Sequence, residues 1–294
     1  MIHSPTTAEP DRRAPHGAGD LALRPRELDR LRDLVYRHTG ILLGGQKRDL
    51  VYNRVSRRLR ALSLTSFSDY CDRVEAEEGS ELEELINAIT TNVTAFFREP
   101  HHFELLTREL LPAIAAERRG ERRLRAWCAG CSSGEEPYSL AMTIAESGLF
   151  ERGWDVKILA TDIDTEILGR AASGVYPRER MEGVSPERER RWFLRGTGGN
   201  EGLRRVRPEL RERITFRQLN LVGPRWPMSG PFDFVFCRNV AIYFDRPTQE
   251  LLFQRYWELL DPSHGHLFVG HSESLANQQD LFRSCGNTVY RKSC

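Results

Sequence analysis

Residues 125–138, RAWCAGCSSGEEPY, hold the densest group of side chains that could do chemistry. Cys128 and Cys131 have the Cys-x-x-Cys spacing of a thiol-disulfide redox site. A redox pair needs an accessible thiolate at a helix N-terminus, and these cysteines come before the turn that precedes the expected helix. One such pair is also weak evidence for a metal site, and His101-His102 fits the start of a capped helix. The role of residues 125–138 therefore depends on the strands and helices that surround them.

The two glycines of this stretch indicate a ligand-binding loop. Gly130 and Gly134 allow a tight turn and a close approach of the backbone to a ligand, and Pro137 fits the first turn of the next helix. The spacing differs from Gly-x-Gly-x-x-Gly, which disfavours a dinucleotide. We therefore expect a ligand with a smaller charged group.

Beyond Arg125, short apolar runs alternate with helical stretches, which predicts a mainly parallel sheet with helices on both faces. The runs are LRAWCAG, VKILATDID, ITFRQLNL, FDFVFCRN and GHLFVGHSE. Polar residues converge where these strands end, namely Asp162, Asn220, Arg238 and Asn239, and ligands bind at that edge of open α/β sheets. Asp162 could contact ribose hydroxyls, or else Asp162 or Asp164 could cap the following helix.

Composition and pattern divide the chain into three parts. Residues 1–20 lack periodicity and are expected to be a disordered leader, whereas 21–91 show apolar residues at helical spacing and predict a small all-helical domain. Residues 92–294 are expected to form the α/β domain.

The net charge of +1 favours neither nucleic acid nor an anionic membrane as a partner. With six cysteines and no signal-peptide or membrane-spanning pattern, a cytoplasmic protein with reduced thiols is expected.

An arginine-rich segment at about 178–213 interrupts the predicted sheet. It has 11 Arg against 7 Glu, and RGTGGNEGLRRVR favours a hairpin over a continuous helix. Such an antiparallel β-subdomain is more often used for recognition than for framework.

Five stretches, in this order along the chain, resemble the CheR-type chemotaxis receptor methyltransferases: TNVTAFFREPHHF at 91–103, SSGEEPYS, LATDID, CRNVAIYFD and GHSESL. The resemblance covers nearly everything after the leader. It implies a Rossmann-like methyltransferase domain, S-adenosylmethionine as methyl donor, S-adenosylhomocysteine as product and no metal. The acceptors it implies are glutamate side chains on the cytoplasmic helical bundle of chemoreceptors.

The resemblance also implies a set of cofactor ligands, which are Asn92, Thr94, Arg98, Glu136, Asp162, Asn220, Leu221, Arg238 and Asn239. Glu135 is an alternative to Glu136. A glutamate acceptor is already ionised at neutral pH, since its ordinary pKa is about 4.3, so no general base is needed. Arg98 and Tyr243 are suited to hold that carboxylate against the methyl group, and we assign them this catalytic positioning role.

A basic helix at QKRDLVYNRVSRRLRAL is the expected receptor-binding surface. Residues 21–62 hold 11 Lys or Arg against 4 Asp or Glu. Charge runs are often only solvated faces, but an acidic helical partner favours a steering role. The residues predicted to display this charge are Lys47, Arg54, Arg57 and Arg58. In some family members the β-subdomain binds a peptide at the receptor C-terminus by strand addition, which fits the segment at 178–213.

Three alternatives stay open beside this interpretation. A methyltransferase of another acceptor is the main enzymatic one, although the Asn/Asp-Pro-Pro-Tyr/Phe signature of amine methylation is replaced by CRNVAIYF. A non-catalytic binding module on the same fold is the second, and the thiol oxidoreductase is the third.

Overall fold

The structure is a computed structural model that describes residues 21–76 and 79–293. The expected disordered leader at 1–20 lies outside the described residues. The described residues form eleven α-helices: α1 (Pro25–Thr39), α2 (Arg48–Ala61), α3 (Phe67–Ala76), α4 (Ser80–Ile89), α5 (Pro100–Leu105), α6 (Leu111–Glu117), α7 (Glu135–Glu146), α8 (Thr165–Ser173), α9 (Pro186–Trp192), α10 (Pro208–Arg211) and α11 (Arg246–Leu259).

They also form ten strands: β1 (Arg123–Ala129), β2 (Asp155–Asp162), β3 (Val175–Pro177), β4 (Phe193–Arg195), β5 (Leu203–Val206), β6 (Ile214–Gln218), β7 (Phe234–Cys237), β8 (His266–Val269), β9 (Phe282–Gly286) and β10 (Val289–Lys292). Short 3₁₀ turns occur at Gly45–Lys47, Arg178–Met181, Gly198–Asn200 and Ala241–Tyr243, and a π-helical turn at Leu106–Leu110 joins α5 to α6.

Helices α1 to α4 build the N-terminal all-helical domain that the periodicity predicts. Their apolar faces meet in a separate core in which Leu31, Val55, Tyr70 and Leu85 are fully buried. Helix α1 ends at Gly40, whose left-handed φ of 69° allows its N–H to donate to the carbonyl of Tyr36. The helical part of the fold prediction is confirmed.

A seven-stranded sheet forms the second domain, in the order β6-β2-β1-β7-β8-β10-β9. The five strands predicted from apolar runs are all present and pair in parallel. Strands β9 and β10 add an antiparallel edge that the sequence did not predict. Along β1, Ala126 and Cys128 face one core and Trp127 and Ala129 the other, so both faces of the sheet are covered.

The insertion is a second, three-stranded antiparallel sheet in the order β3-β5-β4. Strands β4 and β5 form the predicted hairpin, with Phe193 opposite Val206 and Arg195 opposite Arg204. The first strand of this sheet begins at Val175, slightly before the predicted start at 178. The mainly parallel sheet with an inserted antiparallel β-subdomain is thereby confirmed.

Within 21–76 and 79–293, none of the helices combines the length and the apolar content needed to cross a membrane.

Candidate active site

A cavity of about 300 Å³ opens at the carboxyl ends of β1, β2 and β7, beside the helical domain. In the sheet, β2 and β6 lie on one side of β1, whereas β7 and β8 lie on the other. The strand order therefore reverses between β1 and β7, and open α/β sheets bind ligands at such a switch point. All nine predicted cofactor ligands and Tyr243 line this cavity, together with Lys47: Asn92, Thr94, Arg98, Glu136, Asp162, Asn220, Leu221, Arg238 and Asn239. Residues from distant parts of the sequence therefore meet in one place.

The glycine loop forms one wall, and its glycines are sterically required. Gly130 has a φ of 86°, and a Cβ there would lie 2.3 Å from Cγ2 of Val240. Gly134 has a φ of 95°, and its Cβ would lie 2.8 Å from the hydroxyl of Tyr176. Any side chain at either position would push the loop out of place.

The two aspartates at the end of β2 and just after it have different roles. Asp164 caps α8 by accepting from the N–H of Ile167 at 3.0 Å. Asp162 lines the cavity instead, and its carboxylate accepts from the N–H groups of Ser132 at 2.8 Å and Asp164 at 3.1 Å. Burial raises the pKa of Asp162 from its ordinary value. Of the two alternatives left by the sequence, the structure gives the cap to Asp164.

The adjacent glutamates at the start of α7 also separate. Glu135 is fully buried and bonds to Ser133 and Arg180, outside the lining of the cavity. Glu136 lines the cavity and accepts from Nη1 of Arg238 at 3.2 Å. Burial raises the pKa of Glu136, which the positive charge of Arg238 opposes. Glu136 is thus the member of the pair that can contact a ligand.

Arg238 is almost fully buried between two carboxylates. Besides Glu136, its guanidinium lies 3.5 Å from the Glu99 carboxylate and donates to the main-chain carbonyl of Arg98. Ligand atoms of Glu99, His101 and His102 lie within 4.8 Å of one another, a spacing that could hold a metal. Arg238 already supplies positive charge beside Glu99, so we assign no metal there.

The segment around Arg98 is held from two sides. Asn92 donates to Asp164 at 2.7 Å, and Nη1 of Arg98 donates to the carbonyl of Val93 at 3.0 Å. The ammonium of Lys47 lies 5.0 Å from the centre of the Tyr243 ring, a cation–π contact. Arg98, Lys47 and Tyr243 all line the cavity.

Asn220 joins the helical domain to the sheet edge. Its side-chain amide donates to the carbonyl of His38 at 2.6 Å, while its oxygen accepts from the N–H of Val222 at 3.1 Å. Leu221 beside it is buried in the core on that face of the sheet.

Glu273, in the GHSESL stretch, organises the turn that follows β7, and sequence reasoning missed it. This buried carboxylate accepts four main-chain N–H groups, from Asn239 and Val240 at 2.9 Å each, Ile242 at 3.3 Å and Gly270 at 2.5 Å. Asn239 has a left-handed φ of 60°. Burial raises the pKa of Glu273, and the four N–H groups offset that cost. Its partners are main-chain groups, so no residue-type pattern reveals it.

Two members of the predicted basic surface have partners inside the helical domain. Arg54 donates to the carbonyls of Ala88 at 3.1 Å and Ile89 at 2.7 Å, and so caps the C-terminus of α4. Arg58 pairs with Glu81 at 2.8 Å and Glu84 at 2.9 Å. Both side chains remain partly exposed, so the role of Arg54 and Arg58 in binding a partner stays a prediction. Lys47 lies at the cavity and Arg57 is exposed.

The cysteines of the opening stretch are not placed for redox chemistry. Cys128 and Cys131 are free, fully buried thiols, and burial raises the pKa of both well above the ordinary value. A thiol that is buried and protonated is unreactive. Cys128 belongs to β1 and Cys131 packs in the loop after it.

Comparison with known families decides what this cavity is for. Residues 26–90 match the family description "CheR methyltransferase, all-alpha domain", and residues 92–291 match "CheR methyltransferase, SAM binding domain". The chain belongs to the CheR methyltransferase family. It is an S-adenosylmethionine-dependent methyltransferase of chemotaxis.

Relatives within the CheR family match over nearly their whole length. Chemotaxis protein methyltransferase 2 of Pseudomonas aeruginosa is 49% identical over 267 residues, covering 90% of this chain and 92% of that protein. The chemotaxis protein methyltransferase of Escherichia coli is 46% identical over 275 residues, covering 93% of each chain.

The chemistry of the CheR cavity fits S-adenosylmethionine. The cavity offers the carboxylates of Asp162 and Glu136, and carboxylates accept hydrogen bonds from the hydroxyl and ammonium groups that this cofactor carries. The hydroxyl of Ser132 is buried and has no hydrogen-bond partner among the described residues, which is expected where a polar ligand completes the set. When bound, the cofactor supplies an electrophilic methyl group on a sulfonium.

Proposed function

We propose that this CheR protein methylates glutamate side chains on the cytoplasmic helical bundle of chemoreceptors, and that it works in the cytoplasm. The observation that carries the proposal is that Arg98 and Tyr243 line the same cavity as Glu136 and Asp162. A guanidinium and a phenol hydroxyl at the cavity support the proposal that an acceptor carboxylate is held there beside the cofactor. The basic residue Lys47 stands at the same cavity.

The reaction requires alignment rather than proton transfer. A glutamate carboxylate with an ordinary pKa of about 4.3 is ionised at neutral pH and already nucleophilic. One carboxylate oxygen forms the new O–CH₃ bond as the S–CH₃ bond breaks, and the bonding pair stays on sulfur to give S-adenosylhomocysteine. The protein contributes by holding the carboxylate oxygen in line with the S–CH₃ bond and by excluding water from the cavity.

Arg98 and Tyr243 are proposed to hold the acceptor. The guanidinium of Arg98 uses one N–H on the Val93 carbonyl, and its other donors remain for a carboxylate. Tyr243 can donate one hydrogen bond from its hydroxyl. The one hydrogen bond from the Tyr243 hydroxyl would orient the carboxylate and lower its nucleophilicity only slightly.

The test is transfer from methyl-labelled S-adenosylmethionine to a receptor cytoplasmic fragment, followed by mild alkali. Carboxyl methyl esters release volatile methanol, whereas methylamines do not. Arg98→Ala should abolish the release and Tyr243→Phe should lower it about tenfold, the effect of one lost donor in the transition state. Arg283→Ala, an exposed arginine outside the cavity, is the matched control.

Near-normal transfer by both variants would reject their role. Cofactor binding by the wild type without transfer to any receptor would favour a non-catalytic module, and label stable to alkali would favour another acceptor.

Lys47 and Arg57 are proposed to steer the acidic receptor helix. Replacing both with glutamate should raise the receptor KM and remove most of its dependence on salt. Arg58→Glu should instead destabilise the helical domain, because its partners are Glu81 and Glu84.

The β-subdomain is proposed to bind a C-terminal receptor tail peptide by strand addition. Its outer strands β3 and β4 are edges of the small sheet and carry the exposed apolar side chains Val175 and Leu194. Tethering would raise the effective concentration of receptor. A receptor fragment without its tail should bind more weakly in a pull-down, and equal binding would count against this step.

A further inference from the structure

Three large apolar side chains are exposed around the mouth of the active-site cavity. Leu42, Val93 and Ile242, here called the apolar rim, are 46%, 76% and 45% exposed. Val93 and Ile242 line the cavity itself. The N–H of Leu42 donates to the carbonyl of Tyr243 at 2.8 Å, so Leu42 lies beside the same wall.

The backbone that presents the rim is fixed. The carbonyl of Val93 accepts from Arg98 at 3.0 Å, and the N–H of Ile242 donates to Glu273 at 3.3 Å. These bonds hold the main chain of both segments in place. Exposing such side chains in water is unfavourable, and their clustering at a cavity mouth is typical of an interaction site.

The rim also adjoins the residues that are proposed to hold the acceptor. Val93 lies between the cavity residues Asn92 and Thr94, and Ile242 precedes Tyr243. On the proposed function, a carboxylate held by Arg98 and Tyr243 would bring its neighbouring side chains near Val93 and Ile242.

We propose that the apolar rim selects acceptor helices that carry an apolar side chain within one turn of the methylated glutamate. Residues three or four apart lie on one helix face, so such a side chain faces the rim while the glutamate enters the cavity. Lys47 at the cavity and the exposed Arg57 on α2 complement the acidic remainder of that helix. This inference rests on the proposed function and specifies the partner of the same site.

The experiment compares Val93→Ser, Ile242→Ser and the double variant in steady-state transfer to a receptor cytoplasmic fragment. Each single change should raise the receptor KM about fivefold, the factor expected for losing the burial of one or two methyl groups. The double variant should raise it more. The affinity for S-adenosylhomocysteine, measured by calorimetry, should change by less than about twofold, because the rim lies at the mouth.

Leu251→Ser provides the matched control. Leu251 is 55% exposed on α11 and does not line the cavity. Its substitution should leave the receptor KM unchanged.

A receptor fragment in which the apolar residue one turn from the methylated glutamate is changed to serine completes a double-mutant cycle. The change should raise KM for the wild-type enzyme and have little further effect on the rim double variant. Additive effects, or an unchanged KM for both single rim variants, would overturn the inference. So would sedimentation data showing that the rim variants lose self-association instead.

Failure of the proposed function would be seen differently. The wild-type enzyme would then place no alkali-labile methyl group on the fragment, whatever residue stood at the rim.

Discussion

Arg238 and Glu136 form a buried ion pair between the carboxyl end of β7 and the first turn of α7, with Nη1 and Oε2 3.2 Å apart. Glu136 belongs to the first turn of α7, and Arg238 follows directly after β7. The pair therefore connects the glycine loop to the next strand across the cavity. Glu99 on the other side of the guanidinium makes the set a carboxylate–guanidinium–carboxylate arrangement.

Replacing Arg238 should mainly lower the stability of the fold, whereas replacing Glu136 should mainly weaken cofactor binding. Arg238→Met leaves two buried carboxylates without their cation and should lower the free energy of unfolding by about 3 kcal/mol. Glu136→Gln keeps the shape, and Arg238 retains Glu99 as counter-ion, so the stability should fall much less. Its main effect should be on the cofactor, with an affinity for S-adenosylhomocysteine at least about tenfold weaker.

Urea unfolding and calorimetric titration of the two variants separate these effects. Equal losses of stability, or unchanged cofactor affinity in Glu136→Gln, would contradict the assignment.

Glu273→Gln tests whether the four-donor carboxylate positions the turn that carries Tyr243. Glutamine has one side-chain oxygen, so two of the four N–H groups would face an amide nitrogen. We expect a loss of stability of about 2 kcal/mol and a fall in kcat of at least about tenfold, because small displacements of positioning residues are costly. The rate at saturating cofactor and receptor is the measurement.

Glu250→Gln is its control, since Glu250 is exposed on α11 and pairs with Arg246 on its own helix. A variant Glu273→Gln with lowered stability but normal kcat below its melting temperature would limit Glu273 to a structural role.

The inserted subdomain reaches the cofactor loop through Arg180, and this contact is also testable. Arg180 pairs with the fully buried Glu135, which in turn accepts from Ser133 at 2.6 Å. Arg180→Met leaves a buried carboxylate unpaired and should both destabilise the fold by about 2 kcal/mol and weaken cofactor binding. Adding Glu135→Gln removes the unpaired charge and should restore part of both losses.

Arg178→Met, two residues earlier and exposed, serves as the comparison. If the double variant were no better than Arg180→Met, loop order would not depend on this charge pair.

The sequence predicted the parallel strands and the part of the cavity at their carboxyl ends for a physical reason. Buried parallel strands require continuous apolar runs, and the residues after them meet at one edge, so Asp162 and Arg238 could be placed together without a structure. Strand β9 escaped detection because four of its five residues are exposed and show no apolar pattern.

Contacts between distant positions could not be predicted in this way. Three of the four N–H groups that Glu273 binds lie more than 30 residues away, and N–H groups look alike in every sequence. A count of basic residues likewise cannot show which of them already have partners. Arg54 and Arg58, both included in the predicted receptor surface, bind carbonyl and carboxylate groups within the helical domain.

Because of His102, the folded protein should lose stability in mild acid. This fully buried imidazole donates from Nε2 to the carbonyl of Asn287 at 2.9 Å, and burial followed by the charge of Arg238 lowers its pKa to about 4. Below about pH 6.5, the ordinary pKa of histidine, the unfolded chain takes up a proton that the folded protein does not. The free energy of unfolding should therefore fall from pH 6.5 down to about 4, by up to about 1.4 kcal/mol per pH unit from this group.

His102→Gln keeps an N–H donor for Asn287 and removes the titration, so its stability should depend less steeply on pH in that window. Urea unfolding at intervals between pH 7.5 and 4.5 measures both slopes. The buried His266, whose pKa burial also lowers, remains in both proteins and keeps some residual slope. His38→Gln, an exposed histidine, should leave the wild-type slope intact, and a His102→Gln variant with that same slope would show that His102 is already protonated in the folded protein.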